Sequence, residues 1–194
     1  MPRVSAILLA AGLSRRMGTF KLTLPWRGST VIQHVADTLR TAPLHEIIAV
    51  TGHRRHEVEA ALVGRDIRCV FNPSYATGGM LSSIQTGLAA LIAGDDAALI
   101  CLGDQPQMEA STLDLVLAEG ERTGWERVII PSYRMRAGHP ILVPGSLRLQ
   151  IMHTTESLRA VLRNNAPSIE YVAVDTPTIL ADLDTPDDYA NARA

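Results

Sequence analysis

Apolar residues gather in five short runs, Val4 to Leu9, Ile47 to Val50, Ile67 to Phe71, Ala97 to Leu102 and Val128 to Ile130, mostly separated by stretches of helical spacing. Strand-length runs alternating with helical patterns predict an α/β chain. Between the first two runs, Val31, Ile32, Val35, Ala36 and Leu39 share one helical face, Ser29-Thr30 can cap its start, and Pro43 follows its end. Near-continuous hydrophobic strands imply a mainly parallel sheet covered on both faces, with ligands gathering at the carboxyl ends of the strands. After Pro131 the regularity weakens. Gly138 to Pro144 reads as a short strand between loops, and Glu156 to Arg163 as a helix begun by Thr154 or Thr155, so an acceptor-side insertion is expected over about 132–165. Ile169 to Val174 offers a last strand, and Thr185-Pro186-Asp187-Asp188 a helix start in which the acids serve the positive helix end.

A chain of 194 residues suits one α/β domain, 1–194, better than two. Apolar residues at 46% and charged residues at 20% are ordinary for a globular protein. With 18 basic and 20 acidic side chains the formal charge is -2, which excludes a broad nucleic-acid-binding face, so any anion site must be local. Cys69 and Cys101 form no CxxC pair and each sits in an apolar run, as small buried thiols do, which suits a reducing cytoplasm. The start, Met1 to Leu13, imitates a secretory leader, but Ser14-Arg15-Arg16 follows at once and the run is too short to span a bilayer; it is expected to be the buried first strand, with no membrane partner.

The stretch Leu9-Ala10-Ala11-Gly12-Leu13-Ser14-Arg15-Arg16-Met17-Gly18-Thr19-Phe20-Lys21 leaves that strand with two glycines, a hydroxyl and three cations. Small residues let the backbone approach a polyphosphate, while Arg16 supplies a planar fork and Lys21 a point charge. It is not a P-loop, because Thr19-Phe20 separates the second glycine from the lysine, and GxGxxG is absent. The plain alternative is a solvated basic loop. Asp104, in Gly103-Asp104-Gln105-Pro106, follows the run Ala97 to Leu102 and so falls at a strand's carboxyl end, where a hard cation finds its ligands. Magnesium takes one or two carboxylates plus phosphates and water. Asp182 and Asp184 are the candidate second carboxylates, with Asp184 preferred; the plain alternative is a turn aspartate for Asp104 and a helix-start residue for Asp184.

Leu-Ala-Ala-Gly-x-Ser-x-Arg-Met-Gly-x-x-Lys at 9–21 resembles the signature of the nucleotidyltransferases that include the sugar-phosphate and molybdenum-cofactor enzymes. Gly103-Asp104-Gln105-Pro106, Gly138-His139-Pro140 and the segment Asp182 to Tyr189 are similar to motifs of the molybdopterin cytidylyltransferase family. The resemblance implies a three-layer Rossmann-like nucleotidyltransferase fold with a mainly parallel, mixed sheet. It implies catalysis by Arg16, Lys21 and Asp104, and Mg2+ held by Asp104 and Asp184. Nucleotide binding falls to Leu9, Ala10, Ala11, Gly12, Ser14, Gly18, Gly79 and Ser83, with Thr51-Gly52-His53 also near the base. For Ser82 and Ser83 helix capping is the plain alternative, and His53 and His56 are otherwise expected to be exposed.

Ala10-Ala11 favours CTP over GTP within this resemblance, and the implied acceptor is molybdopterin, with a molybdenum hydroxylase as recipient of the dinucleotide. Gln150 to Arg159 departs from the Gly-Asp-x-Gly-Ala-Arg element usual there, so a sugar or alcohol phosphate remains an alternative acceptor, and a non-catalytic cofactor carrier an alternative role. Arg134 and Arg136 meet either an anionic acceptor or water.

Overall fold

The computed structural model describes residues 3–92 and 94–193; Met1 and Pro2 of the leader-like start, Ala93 and Ala194 lie outside that description. Among the described residues ten strands form, in chain order β1 (Val4–Ala10), β2 (Pro25–Trp26), β3 (Ser29–Thr30), β4 (Ile47–Thr51), β5 (Arg68–Phe71), β6 (Ala97–Leu102), β7 (Val128–Tyr133), β8 (Arg136–Ala137), β9 (Ile141–Pro144) and β10 (Ile169–Ala173). The helices are α1 (Val31–Leu39), α2 (Arg55–Leu62), α3 (Gly79–Ala90), α4 (Ala110–Arg122), α5 (Arg148–His153), α6 (Leu158–Asn164) and α7 (Pro186–Arg193). The main sheet runs β10-β7-β9-β6-β1-β4-β5, with β8 paired to β7, while β2 and β3 form a separate ribbon. The long neighbours are parallel and β9 is antiparallel to both β6 and β7, so the sheet is mixed and mainly parallel as expected.

β1 and β6 show why the centre forms here. All six residues of β6 are buried, and its ladder with β1 runs from Val4↔Ala97 to Leu9↔Leu102. Side-chain alternation sends Val4, Ala6 and Leu8 of β1 to one face, where they meet Val31, Ile32 and Val35 of α1, Val58 of α2 and Leu113 of α4. Ile7 points to the other face, onto Ile84 and Leu88 of α3, with Ile151 of α5 and Val161 of α6 in the same core. Each such aliphatic side chain contributes about 1.5–3 kcal/mol when fully buried, so the two apolar layers fix the sheet between two helix layers. No helix among the described residues is long and apolar enough to cross a membrane.

The second half departs from the expected boundaries. β7 continues through Pro131 to Tyr133, because the parallel edge strand β10 pairs along it to Ala173↔Ser132. The expected insertion at 132–165 carries β9 into the sheet between β6 and β7, followed by α5, which the pattern did not announce, and α6. α6 begins later than expected: Ser157, not Thr154 or Thr155, caps it by accepting from the Ala160 N–H at 3.2 Å. Three hydroxyl residues compete for that role within four positions, and the one directly before the apolar face takes it.

Candidate active site

The loop after β1 is held from below. Met17, Phe20 and Leu22 are buried and anchor it, while Arg15 and Arg16 stay outside. A short 3-10 turn over Arg15–Met17 lies between Ser14 (φ 51) and Gly18 (φ 68), two left-handed positions that reverse the chain twice. Ser14 Oγ accepts from the Lys21 N–H at 3.3 Å and so ties the two ends of the loop. Among the described residues the N–H groups of Gly12, Leu13 and Ser14 have no protein acceptor, which leaves them free for an anion.

Asp104 stands where the sequence puts it, two residues beyond β6. The Gly103 N–H donates to Leu9 O at 3.0 Å, closing the end of the β1–β6 pair, and the Asp104 carbonyl accepts from the Leu183 N–H at 3.1 Å. That bond, with the buried Leu183 side chain, brings the carboxyl-terminal segment beside Asp104. Four charges then converge. Lys21, itself buried, contacts Asp104 directly and reaches Asp184 Oδ1 at 3.2 Å, while Arg16 holds Asp184 Oδ2 at 2.8 Å. Because one ammonium touches both carboxylates, Asp104 and Asp184 face a common point. Two carboxylates sharing a cation position suit magnesium, which takes its remaining ligands from phosphates and water.

Around this cluster lies a cavity of about 460 Å³. Of the expected site residues, Leu9, Ala11, Gly12, Ser14, Arg16, Lys21, Gly79, Ser83, Asp104 and Asp184 line it; Ala10 is buried behind it and Gly18 serves the turn. Thr51, Gly52 and His53 stand back from it, since Gly52 lies under Ala11 and Tyr75, so close that a Cβ would fall 2.5 Å from Tyr75 Cβ. His56 is exposed as expected, but His53 is half-buried, edge-on to Phe20 at 5.6 Å. Arg134 and Arg136 are exposed at the β7–β8 turn, outside the cavity, with Arg134 over the Tyr133 ring.

The far wall was only partly foreseen. Tyr75 and Thr77 line it from the loop that leads into α3, and Met80 from the first turn of that helix. Gly79 (φ 60) opens that helix. Ser82 and Ser83 do not cap it: the buried Asn72 donates to Ser82 Oγ at 2.9 Å and to Ser83 Oγ at 3.0 Å, and its Oδ1 accepts from the Ser74 N–H at 2.9 Å. The signal for Tyr75–Thr77 was its place between a strand's carboxyl end and a glycine-opened helix. Nothing local in the sequence marks Asn72 as the organiser.

Below the carboxylates, Gln105 donates to Asp182 Oδ1 at 2.7 Å and to Ile179 O at 3.2 Å, so Asp182 lines the cavity but is held away from Lys21. Desolvation of its carboxylate, and then the Asp104 charge, push Asp182 above the usual carboxylate range. His139 is pushed down to about 4 by burial, against the opposing pull of Asp104, and is therefore neutral at pH 7.

The residue pattern of the MobA-like NTP transferase domain matches 6–182. The chain belongs to that family. It is a nucleotidyltransferase of the MobA-like group, and the convergent cations and carboxylates are its candidate active site. It is 30% identical to the molybdenum cofactor cytidylyltransferase of Escherichia coli K12, over 100% of this chain and 97% of that one. It is 29% identical to nicotine blue oxidoreductase of Paenarthrobacter nicotinovorans, over 95% and 94% of the two chains. The crystal structure of Rv0371C of Mycobacterium tuberculosis H37Rv in complex with manganese superposes with a TM-score of 0.77 at 25% identity, covering 98% of each chain.

Proposed function

We propose that this nucleotidyltransferase moves CMP from CTP to the terminal phosphate of molybdopterin, giving the cytosine dinucleotide cofactor and pyrophosphate for delivery to a molybdenum hydroxylase. The observation that carries this is the convergence of Lys21, Arg16, Asp104 and Asp184 beside the free N–H groups of the glycine loop. The similarity to a molybdenum cofactor cytidylyltransferase supports the donor and the acceptor.

In the proposed reaction an oxygen of the acceptor phosphate attacks the α-phosphorus in line, and the bond to the bridging oxygen breaks as pyrophosphate leaves. A phosphate monoester has its second pKa near 6, so at neutral pH it is already a competent dianion and the protein need only place it and neutralise charge. Lys21 lies between the carboxylates and the loop, where it meets charge developing on the α-phosphate. Arg16 is held to Asp184 on the surface, with 72% of its side chain exposed, an arrangement worth about 0–1 kcal/mol. A triphosphate therefore recruits Arg16 at little cost. Asp104 and Asp184 would hold magnesium, which when bound neutralises phosphate charge. Tyr75, Thr77, Gly79 and Met80 form the wall suited to base and ribose.

The test is anaerobic incubation of the protein with magnesium, molybdopterin, and CTP, GTP or ATP, following pyrophosphate and dinucleotide. CTP-selective turnover supports the proposal; turnover with sugar or alcohol phosphates in place of molybdopterin would reassign the acceptor. A redox role has one observation behind it, the similarity to nicotine blue oxidoreductase. Binding of a nicotinamide dinucleotide in place of CTP would favour that role.

A further inference from the structure

Asp188 lies in the first turn of α7 and does not line the cavity. Its Oδ2 gathers three donors: the Thr185 N–H at 2.8 Å, the Thr185 hydroxyl at 2.8 Å and the Asp184 N–H at 3.2 Å. Thr185 Oγ1 accepts in return from the Asp188 N–H at 3.2 Å, so the pair is a reciprocal cap. The Asp184 N–H also reaches Asp182 O at 3.1 Å, and Leu183, just before it, is buried and tied to the Asp104 carbonyl. Asp184 is thus fixed on its amino side by the turn after β6 and on its carboxyl side by Asp188.

We propose that Asp188 is a positioning residue that sets the Asp184 carboxylate against Asp104 for cation binding; this rests on Asp184 being a cation ligand. A helix-dipole role does not account for the geometry. Asp187 has the same favourable place beside the positive helix end, yet it is exposed and, among the described residues, makes no side-chain hydrogen bond. Asp188 instead spends one carboxylate oxygen on the peptide of Asp184 itself. Groups that orient a metal ligand from behind typically change metal affinity or activity by about 10–100-fold when removed.

The test measures the ternary complex of the full chain, Mn2+ and CTP by water-proton relaxation enhancement, which separates it from Mn2+–CTP in solution. CTP binding in EDTA and the thermal midpoint are followed alongside. Asp188→Ala is expected to weaken Mn2+ in the ternary complex by about 10–100-fold, to leave metal-free CTP binding unchanged, and to lower the midpoint by only about 2–4 °C. Asp188→Asn keeps an acceptor oxygen and is expected to recover most of the affinity. Ser157→Ala removes the cap of α6, which does not line the cavity, and is expected to leave Mn2+ binding intact. If Asp184→Ala loses Mn2+ while Asp188→Ala does not, the positioning role is overturned. If Ser157→Ala weakens Mn2+ as much as Asp188→Ala, a general loss of stability explains the effect and the role is equally overturned. If Asp184→Ala itself keeps Mn2+, the ligand assignment fails first.

Discussion

Replacing Gly138 by alanine should damage both stability and the carboxylate cluster, because the new methyl has nowhere to go. A Cβ at Gly138 falls 2.3 Å from Ile179 O and 2.8 Å from Ile179 C and Cβ. Carbon atoms pack at about 3.5–4.0 Å, so the Ile179 peptide must retreat by roughly 1 Å. That carbonyl accepts from the His139 N–H at 3.1 Å and from Gln105 Nε2 at 3.2 Å, and a retreat of that size breaks both bonds. Overpacking costs about 1–3 kcal/mol and each lost hydrogen bond about 1 kcal/mol, giving roughly 3–5 kcal/mol in all. For a chain of this size that lowers the thermal midpoint by about 6–20 °C. Circular dichroism melting of the variant beside the parent reads this directly. Since Ile179 precedes Asp182 and Asp184, the magnesium concentration for half-maximal turnover should also rise, measured below the variant's midpoint. A midpoint within about 1 °C of the parent and an unchanged magnesium requirement would refute this packing of the β8–β9 connection against the carboxyl-terminal segment.

Three further outcomes are expected. Lys21→Met removes the cation that contacts Asp104 and Asp184 and, on the proposed mechanism, should lower kcat at saturating CTP by about 10²–10³; a loss under tenfold would remove Lys21 from the chemistry. His139 titrates at about 4 in the folded chain against 6.5 for the free side chain, so between those values the unfolded chain binds a proton that the folded chain refuses. Its contribution is complete above about pH 6.5 and falls as pH drops, by about 2 kcal/mol at pH 5; urea midpoints at pH 7 and pH 5 should differ less for His139→Phe, and an equal difference would contradict the burial of His139. Cys101 is fully buried and its thiol is pushed up by burial, so iodoacetamide should modify it only on unfolding, as mass spectrometry of the native and urea-treated chain would report.

The parts of the candidate site that were legible in the sequence are those in which chemistry and chain position coincide. Lys21 and Arg16 belong to one loop leaving one strand, and Asp104 follows a six-residue apolar run, so a strand's carboxyl end could be read from local pattern alone. Asp184 could be preferred over Asp182, but the bond from Leu183 to Asp104 O and the restraint of Asp182 by Gln105 are contacts between segments about 80 residues apart. The same limit hid the place of β9: its apolar residues announce a strand, not its antiparallel position between β6 and β7. α5 has six residues, too few for a helical period to stand out. Asn72 directly follows the apolar run Ile67 to Phe71, and its role could not be read there because its partners Ser82 and Ser83 lie a turn inside the next helix.

The decisive measurement compares the parent chain with Asp104→Ala in one anaerobic assay, with magnesium, molybdopterin and CTP carrying label on the α-phosphate. Because Asp104 touches Lys21 and faces the shared cation position, label transfer to the acceptor and pyrophosphate release should fall together by about 10² or more. Near-normal turnover by Asp104→Ala would mean that the reaction does not run at this cluster.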